Sequence, residues 1–345
     1  MDVLAKSILI ATLPLLLSGC QLTYLLKSAY NQMSIIYNRE PIEKVLKNEN
    51  LTKNERDKLS LVQDVRIFAA ETLKLKVGKN YSTYVQLKKP YVVWAVNASP
   101  KWKLEHHLWY FPIVGSVPYK GFPKEEDAKE EAQDLQDKGF DTYIRGVSAY
   151  STLGWFNDPI LSSMLRYSEE DLVNTIIHES VHATLYIKSN ADFNERLATF
   201  IGDKGTELFY ETREGKNSPH LVIIKNENHD QKIFSQFISE EIKTLTQLFK
   251  DHPEEDLTLR ENHYIEIKKR FKDIIRPQLK SSNYQNFEKL PLNNARLLLF
   301  KTYIEDLTDF QTLFDKLQGD LPLFVSKVKT LESHKAPIEG LKKLN

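Results

Sequence analysis

The sequence predicts an α+β fold that is mainly helical, on three observations. Apolar residues recur at helical spacing across 21–76 and again from Ser168 to the C-terminus. Between them, residues of about 80–150 carry short aromatic and β-branched runs, the pattern of a small sheet. The helix after Ser168 contains His178-Glu179-Ser180-Val181-His182, an HExxH motif.

Met1 to Gly19 reads as an export signal: Lys6 gives a weakly basic start, and Ser7 to Leu17 is mostly apolar, about half the length that spans a bilayer. Leu17-Ser18-Gly19-Cys20 resembles a bacterial lipobox. The resemblance implies cleavage before Cys20 and acylation of its thiol, and Gln21 after the cysteine favours the outer membrane. Tyr24 to Tyr37 is the first expected helix, Pro41 begins a short second one, and Thr52 caps a third to about Lys76. Tyr91 to Val96 is expected as a strand by its β-branched content, Leu108 to Tyr119 as a strand and turn broken by prolines and glycine, and Asp141 to Tyr150 as another strand. A polar helix over Lys124 to Lys138 stops at Gly139. Ser168 caps the HExxH helix, expected to run to about Lys188, and the next runs from the break at 189–192 to about Thr212. Pro219 to Lys225 is expected as a short strand or apolar loop, followed by amphipathic segments near 229–250 and 254–275. A loop over about 276–290 precedes a last helical pair from Asn293 and Asp320.

Composition narrows the function classes. Among 345 residues, 47 basic side chains balance 47 acidic ones, so nothing in the charge points to nucleic acid. Cys20 is the single cysteine, which excludes an internal disulfide and a cysteine-based zinc site. Any metal is held by His, Asp or Glu.

The HExxH spacing has a physical reason. Residues i and i+4 share one helix face, so both imidazoles reach one ion, while Glu179 sits about 100° around as a general base. Zinc needs a third protein ligand. Glu195 is the leading candidate, in the opening turn of the following helix, but Asp192-x-x-Glu195 is equally a capping box; Asp192 and Asp203 are the other carboxylates in reach. His106 and His107, neighbours on a strand or loop, are expected as surface or substrate contacts rather than ligands.

A longer set of residues carries a resemblance. Tyr37 to Ile42, Val65 to Ala69, Phe111 to Gly115, Ala149 to Pro159, His178 to His182, Phe193 to Glu195 and Asn293 to Arg296 together resemble the predicted aminopeptidases of Gram-negative bacteria, a family of lipoproteins related to gluzincins. That resemblance covers nearly the whole mature chain and implies a zincin-like site, zinc, peptide hydrolysis and Glu195 as third ligand. The separation of His182 from Glu195, shorter than in well-known gluzincins, demands a tight hairpin.

The expected organisation is a signal peptide over 1–19, a lipid-anchored helical segment over 20–50 and a metallopeptidase domain over 51–345. Tyr150 and Tyr303 are candidate oxyanion donors, against simple packing. Asn293, Asn294 and Arg296 either line the cleft and bind peptide, or form a helix cap and a structural salt bridge. Strands at 91–96 or 108–114 are candidates for edge pairing with extended peptide. The expected partners are thus a peptide and, through Cys20, a membrane at the cell envelope. An endopeptidase with the same site and a non-catalytic zinc- or partner-binding lipoprotein are the alternatives.

Overall fold

The computed structural model describes residues 19–111, 115–149, 157–188, 190–302, 307–334 and 336–344. The chain opens with α1 (Gly19–Tyr37), the two-residue strand β1 (Glu40–Pro41) and the single turn α2 (Ile42–Val45). Then α3 (Lys53–Glu71) begins on a full capping box: the Glu55 amide donates to the Thr52 hydroxyl, and the Thr52 amide to the Glu55 carboxylate. It buries Leu59, Val62, Val65, Phe68 and Ala69 along one stripe. The helix stops five residues before the expected Lys76, because Lys74 turns left-handed at φ +57° while Leu73 and Leu75 stay buried.

The middle of the chain forms β2 (Thr83–Val85), β3 (Val93–Pro100), the hairpin β4 (Trp109–Phe111) and β5 (Gly115–Val117), β6 (Lys120–Phe122), α4 (Glu125–Asp137), β7 (Phe140–Val147) and β8 (Ile160–Leu161). The principal sheet is antiparallel in the order β6-β3-β7, with Ala95 facing Gly121 on one side and Arg145 on the other. On one face Trp94, Val96 and Ala98 pack with Phe122 against Ala128, Ala132 and Leu135 of α4. The opposite face presents Val93, Ala95, Asn97 and Ser99 beside Val147, Arg145, Tyr143 and Asp141. Since β3 is paired on both sides over 94–96, the expected edge pairing by 91–96 is ruled out for that stretch. β-structure also extends outside 80–150: a second small sheet runs β1-β2-β8.

The rest is helical: α5 (Glu169–Thr184), α6 (Ala191–Glu214), α7 (Pro219–Asp251), α8 (Leu257–Arg270), α9 (Asn294–Thr302), α10 (Thr308–Lys316), α11 (Leu321–Lys329) and α12 (Pro337–Leu344). The fold is therefore α+β and mainly helical. Residues 219–225, expected as a strand or loop, are the first turns of α7. Ser218 accepts the His220 amide there, and Pro219 occupies the first helical position, where its missing N–H costs nothing. A cooperative 33-residue helix overrides the β-branched preference of Val222, Ile223 and Ile224.

Three cores hold the elements. The largest joins α3, α5, α6, α10 and α11; a second gathers α7, α8 and α9 around Phe271 and Phe287; the third is the sheet with α4. No helix among the described residues is long and apolar enough to cross a membrane.

Candidate metal centre

The approach to α5 is fixed before the helix begins. The buried ammonium of Lys58 donates to the Leu165 carbonyl at 2.9 Å and also to that of Tyr167. Ser168 then caps α5 by accepting the Asp171 amide at 3.0 Å, and Glu169, Glu170 and Asp171 place negative charge at the positive end of the helix dipole. Leu172, Val173, Ile176, Ile177, Ser180, Val181 and Thr184 form the buried stripe. His178 and His182 are left on a neighbouring face, with rings 4.9 Å apart and 80° to one another. α5 ends at Thr184, four residues short of Lys188, where the Thr184 hydroxyl accepts the Lys76 amide and Leu185 turns extended.

The return to α6 is short, as the spacing requires, and one side chain closes it. Asn194, only 1% exposed, accepts the Ile187 amide on Oδ1 and donates Nδ2 to the Ile187 carbonyl, both at 2.9 Å. This two-point clamp sets the first turn of α6 against the end of α5. Farther along, α6 lies close to α5 because Gly205 carries no side chain: a Cβ there meets Ile177 at 3.0 Å.

Glu195 follows Asn194 and faces both histidines. His178 Nε2 lies 3.2 Å from His182 Nε2; Glu195 Oε2 lies 3.5 Å from the first and Oε1 3.5 Å from the second. Ligand atoms 2.0–2.1 Å from a tetrahedral ion stand about 3.3 Å apart, so this triangle has the dimensions of a zinc tripod. Two imidazoles and one carboxylate are also donors that zinc accepts. The capping-box alternative is not formed: α6 begins at Ala191, and Asp192 is exposed and paired with Arg196. Among the described residues, His178, His182 and Glu195 are the metal-capable group of three.

The charges cooperate. Burial alone pushes the His182 ring down, but the hydrogen bond and charge of Glu195, with the Glu179 carboxylate, outweigh it and raise its pKa. Hydrogen bonds to His178 and His182 hold the Glu195 carboxyl down at about 2. His182 Nδ1 is buried without a hydrogen-bond partner among the described residues. Behind the site, Asp203 is not a ligand; it accepts Asn174 Nδ2 at 2.8 Å, and burial raises its carboxyl to about 6.

The other expected residues fall in different places. Tyr150 and Tyr303 lie outside the described residues. Asn294 is fully buried: it accepts the Tyr264 hydroxyl, donates to the carbonyls of Pro100 and Lys101, and its own amide donates to Asp141. Asn293 caps α9 by accepting the Arg296 amide and ties it to the Thr142 carbonyl. Arg296 lies over the Tyr143 ring at 4.5 Å. These three contacts are the structural alternative, with a cation–π contact in place of the salt bridge. His107 is wedged between Trp109 and Phe140, and His106 lines a cavity.

Two residues at the centre are not marked by metal-ligating chemistry or by spacing. Asn194 differs in no local way from any polar residue opening a helix. Tyr81, buried with a left-handed backbone at φ +56°, has its hydroxyl raised well above the usual phenol range by burial and then by the Glu179 and Asp158 charges. It is thus an aromatic neighbour of the catalytic candidate.

A family model described as "Putative aminopeptidase" matches residues 23–341. No curated protein and no solved structure matches the chain.

Proposed function

Because the chain belongs to this aminopeptidase family, we propose that it is a zinc-dependent peptidase of the zincin type, with His178, His182 and Glu195 as ligands and Glu179 as general base. The observation that carries this reading is the triangle of ligand atoms, 3.2 to 3.5 Å on a side, with a carboxylic acid next in sequence to its first corner. Zinc held there supplies a Lewis acid that polarises a scissile carbonyl and acidifies water. Glu179 Oε takes the proton of the attacking water and delivers it to the leaving amine. Its position one residue after His178 turns it about 100° from the ligand face, toward the space where substrate must lie. Glu195, half exposed, leaves the outer side of the centre open to substrate.

The same reading gives the protein a lipid anchor. Cys20, after cleavage of residues 1–19, carries the acyl chains that hold the enzyme on the periplasmic face of the outer membrane, where it meets peptides. The cysteine's place after a short apolar run and two small residues supports this.

The experiment is metal analysis of the purified protein followed by a mixed peptide pool with free and blocked N-termini. About one zinc per chain is expected, with chelator-sensitive release of N-terminal residues. Glu179→Gln is expected to keep the zinc and lose turnover by a hundredfold or more. Full metal occupancy with no cleavage of any peptide leaves a metal-binding lipoprotein instead, and cleavage of blocked peptides makes it an endopeptidase.

A further inference from the structure

The sheet face turned away from α4 is covered in two halves. At the Ser99–Asp141 end, Asp141 holds the Arg260 guanidinium and the Asn294 amide. At the other end α1 crosses the strands, its Tyr24 hydroxyl donating to the Gly121 carbonyl at 2.9 Å. The space beneath α1 is not filled. A cavity of about 980 Å³ remains, floored by β3 and β7 and closed on one side by Leu299 of α9. That is the size of a small-molecule site.

Its walls hold polar groups left unpaired by the described residues. Asn97 Oδ1, His106 Nδ1 and Arg145 Nε are buried and have no hydrogen-bond partner among the described residues. They come from β3, the segment before β4, and β7, so no single local turn accounts for them. Arg145 forms no ion pair with any described residue, and no Asp or Glu stands among the described residues of the lining. Some partly buried arginines of this chain meet carboxylates, Arg260 at Asp141 and Glu261, Arg270 at Glu241 and Arg276 at Glu288, and others, Arg39, Arg56 and Arg66, meet backbone carbonyls. A guanidinium facing a largely apolar cavity, with no counter-charge among the described residues, can receive an anion.

We propose that this cavity binds a carboxylate-bearing ligand through Arg145, with His106 Nδ1 as a neutral donor to the acid and Asn97 Oδ1 as an acceptor for an N–H of the ligand. One guanidinium balances one carboxylate and meets it with two parallel hydrogen bonds. A phosphate, at about −1.5 to −2, is left with uncompensated charge in this lining. Val93, Ala95, Val147 and Leu299 receive an apolar body attached to the acid. The carboxylate has two possible sources, the C-terminus of a peptide or a free carboxylic acid. The site stands on its own geometry and does not require the metal centre to be catalytic.

The test is calorimetric titration of the full chain in detergent, with chelator present so that no metal competes for the acid. The probes are N-acetyl-Ala-Ala-Phe, its C-terminal amide, and butyrate. Saturable binding of an acid is expected, with the amide at least tenfold weaker. Arg145→Gln is expected to weaken the acid by about tenfold to a hundredfold and to leave the amide unchanged. Arg145→Lys, which keeps the charge without the fork, falls between, and circular dichroism of each variant checks that it is folded. A tripeptide acid at least tenfold tighter than butyrate identifies peptide as the source; equal affinities identify a free acid. No saturable binding of either acid to the unaltered protein, or equal binding of acid and amide, overturns the proposal without reference to any variant.

Discussion

At the scale of single residues, the centre sets carboxylates in opposite protonation regimes a few residues apart. Glu195, held down at about 2 by two imidazoles, contributes stability above its unfolded value that is lost as pH falls toward 2. Asp203 has the reverse sign. Its folded pKa is raised from 3.8 to about 6, so the fold prefers it protonated. That contribution is fully present below about 3.8 and lost as pH rises through about 6. Asp203→Asn keeps an oxygen for Asn174 and removes the titration. With metal chelated, the variant is expected to match the parent near pH 3.5 and to exceed it by about 2–3 kcal/mol at pH 7.5, at 1.36 kcal/mol per pKa unit. Denaturant melts of both proteins across that range check it; a difference that stays constant with pH contradicts the assignment.

The element scale explains what was legible in the sequence and what was not. The His178–His182 pair and the Ser168 and Thr52 caps are local, fixed by spacings of three or four residues within one helix, and all are found as the periodicity implies. The β-branched start of α7 and the length of α3 depend on what the segment packs against, which no local window contains. The polarity of Asn294 suggests exposure to a peptide; in the fold it ties α9 to β3 and α8 from a fully buried position. Arg145 and Tyr81 acquire meaning from neighbours far away in sequence. Asn194 is intermediate: its neighbour Glu195 is marked as a ligand by its carboxylate, but the clamp on Ile187 that aims Glu195 needs the tight hairpin to exist. Asn194→Ala therefore deletes two buried hydrogen bonds and leaves the Ile187 amide unpaired, while the carbonyl keeps the Asn190 amide. It is expected to cost about 2–4 kcal/mol of stability and to weaken zinc binding by about tenfold to a hundredfold, as for other residues that orient a ligand. Competition with a chromophoric chelator measures the second effect. A variant with lowered stability and unchanged zinc affinity shows that the clamp serves the hairpin alone.

At the scale of the molecule, the proposed ion sits between two helices of the largest core and outside the other two. Its ligands join α5 to α6, which pack on α3, α10 and α11, whereas the α7–α9 core reaches α5 and α6 only at its margin. A ligand that binds only the folded state stabilises it by RT ln(1 + [L]/Kd), about 4 kcal/mol at a thousand times Kd. If unfolding is local, that gain belongs to the units that hold the ion rather than to the whole chain. Chelation is therefore expected to accelerate amide exchange in α5, α6 and the hairpin between them by up to about a thousandfold, while amides of α8 around Ile267 keep their protection. Hydrogen exchange with and without chelator, read by mass spectrometry, separates the two cores directly. Equal acceleration in α8 means that the cores open as one cooperative unit and the metal stabilises the entire fold; no acceleration anywhere means that no ion joins these helices.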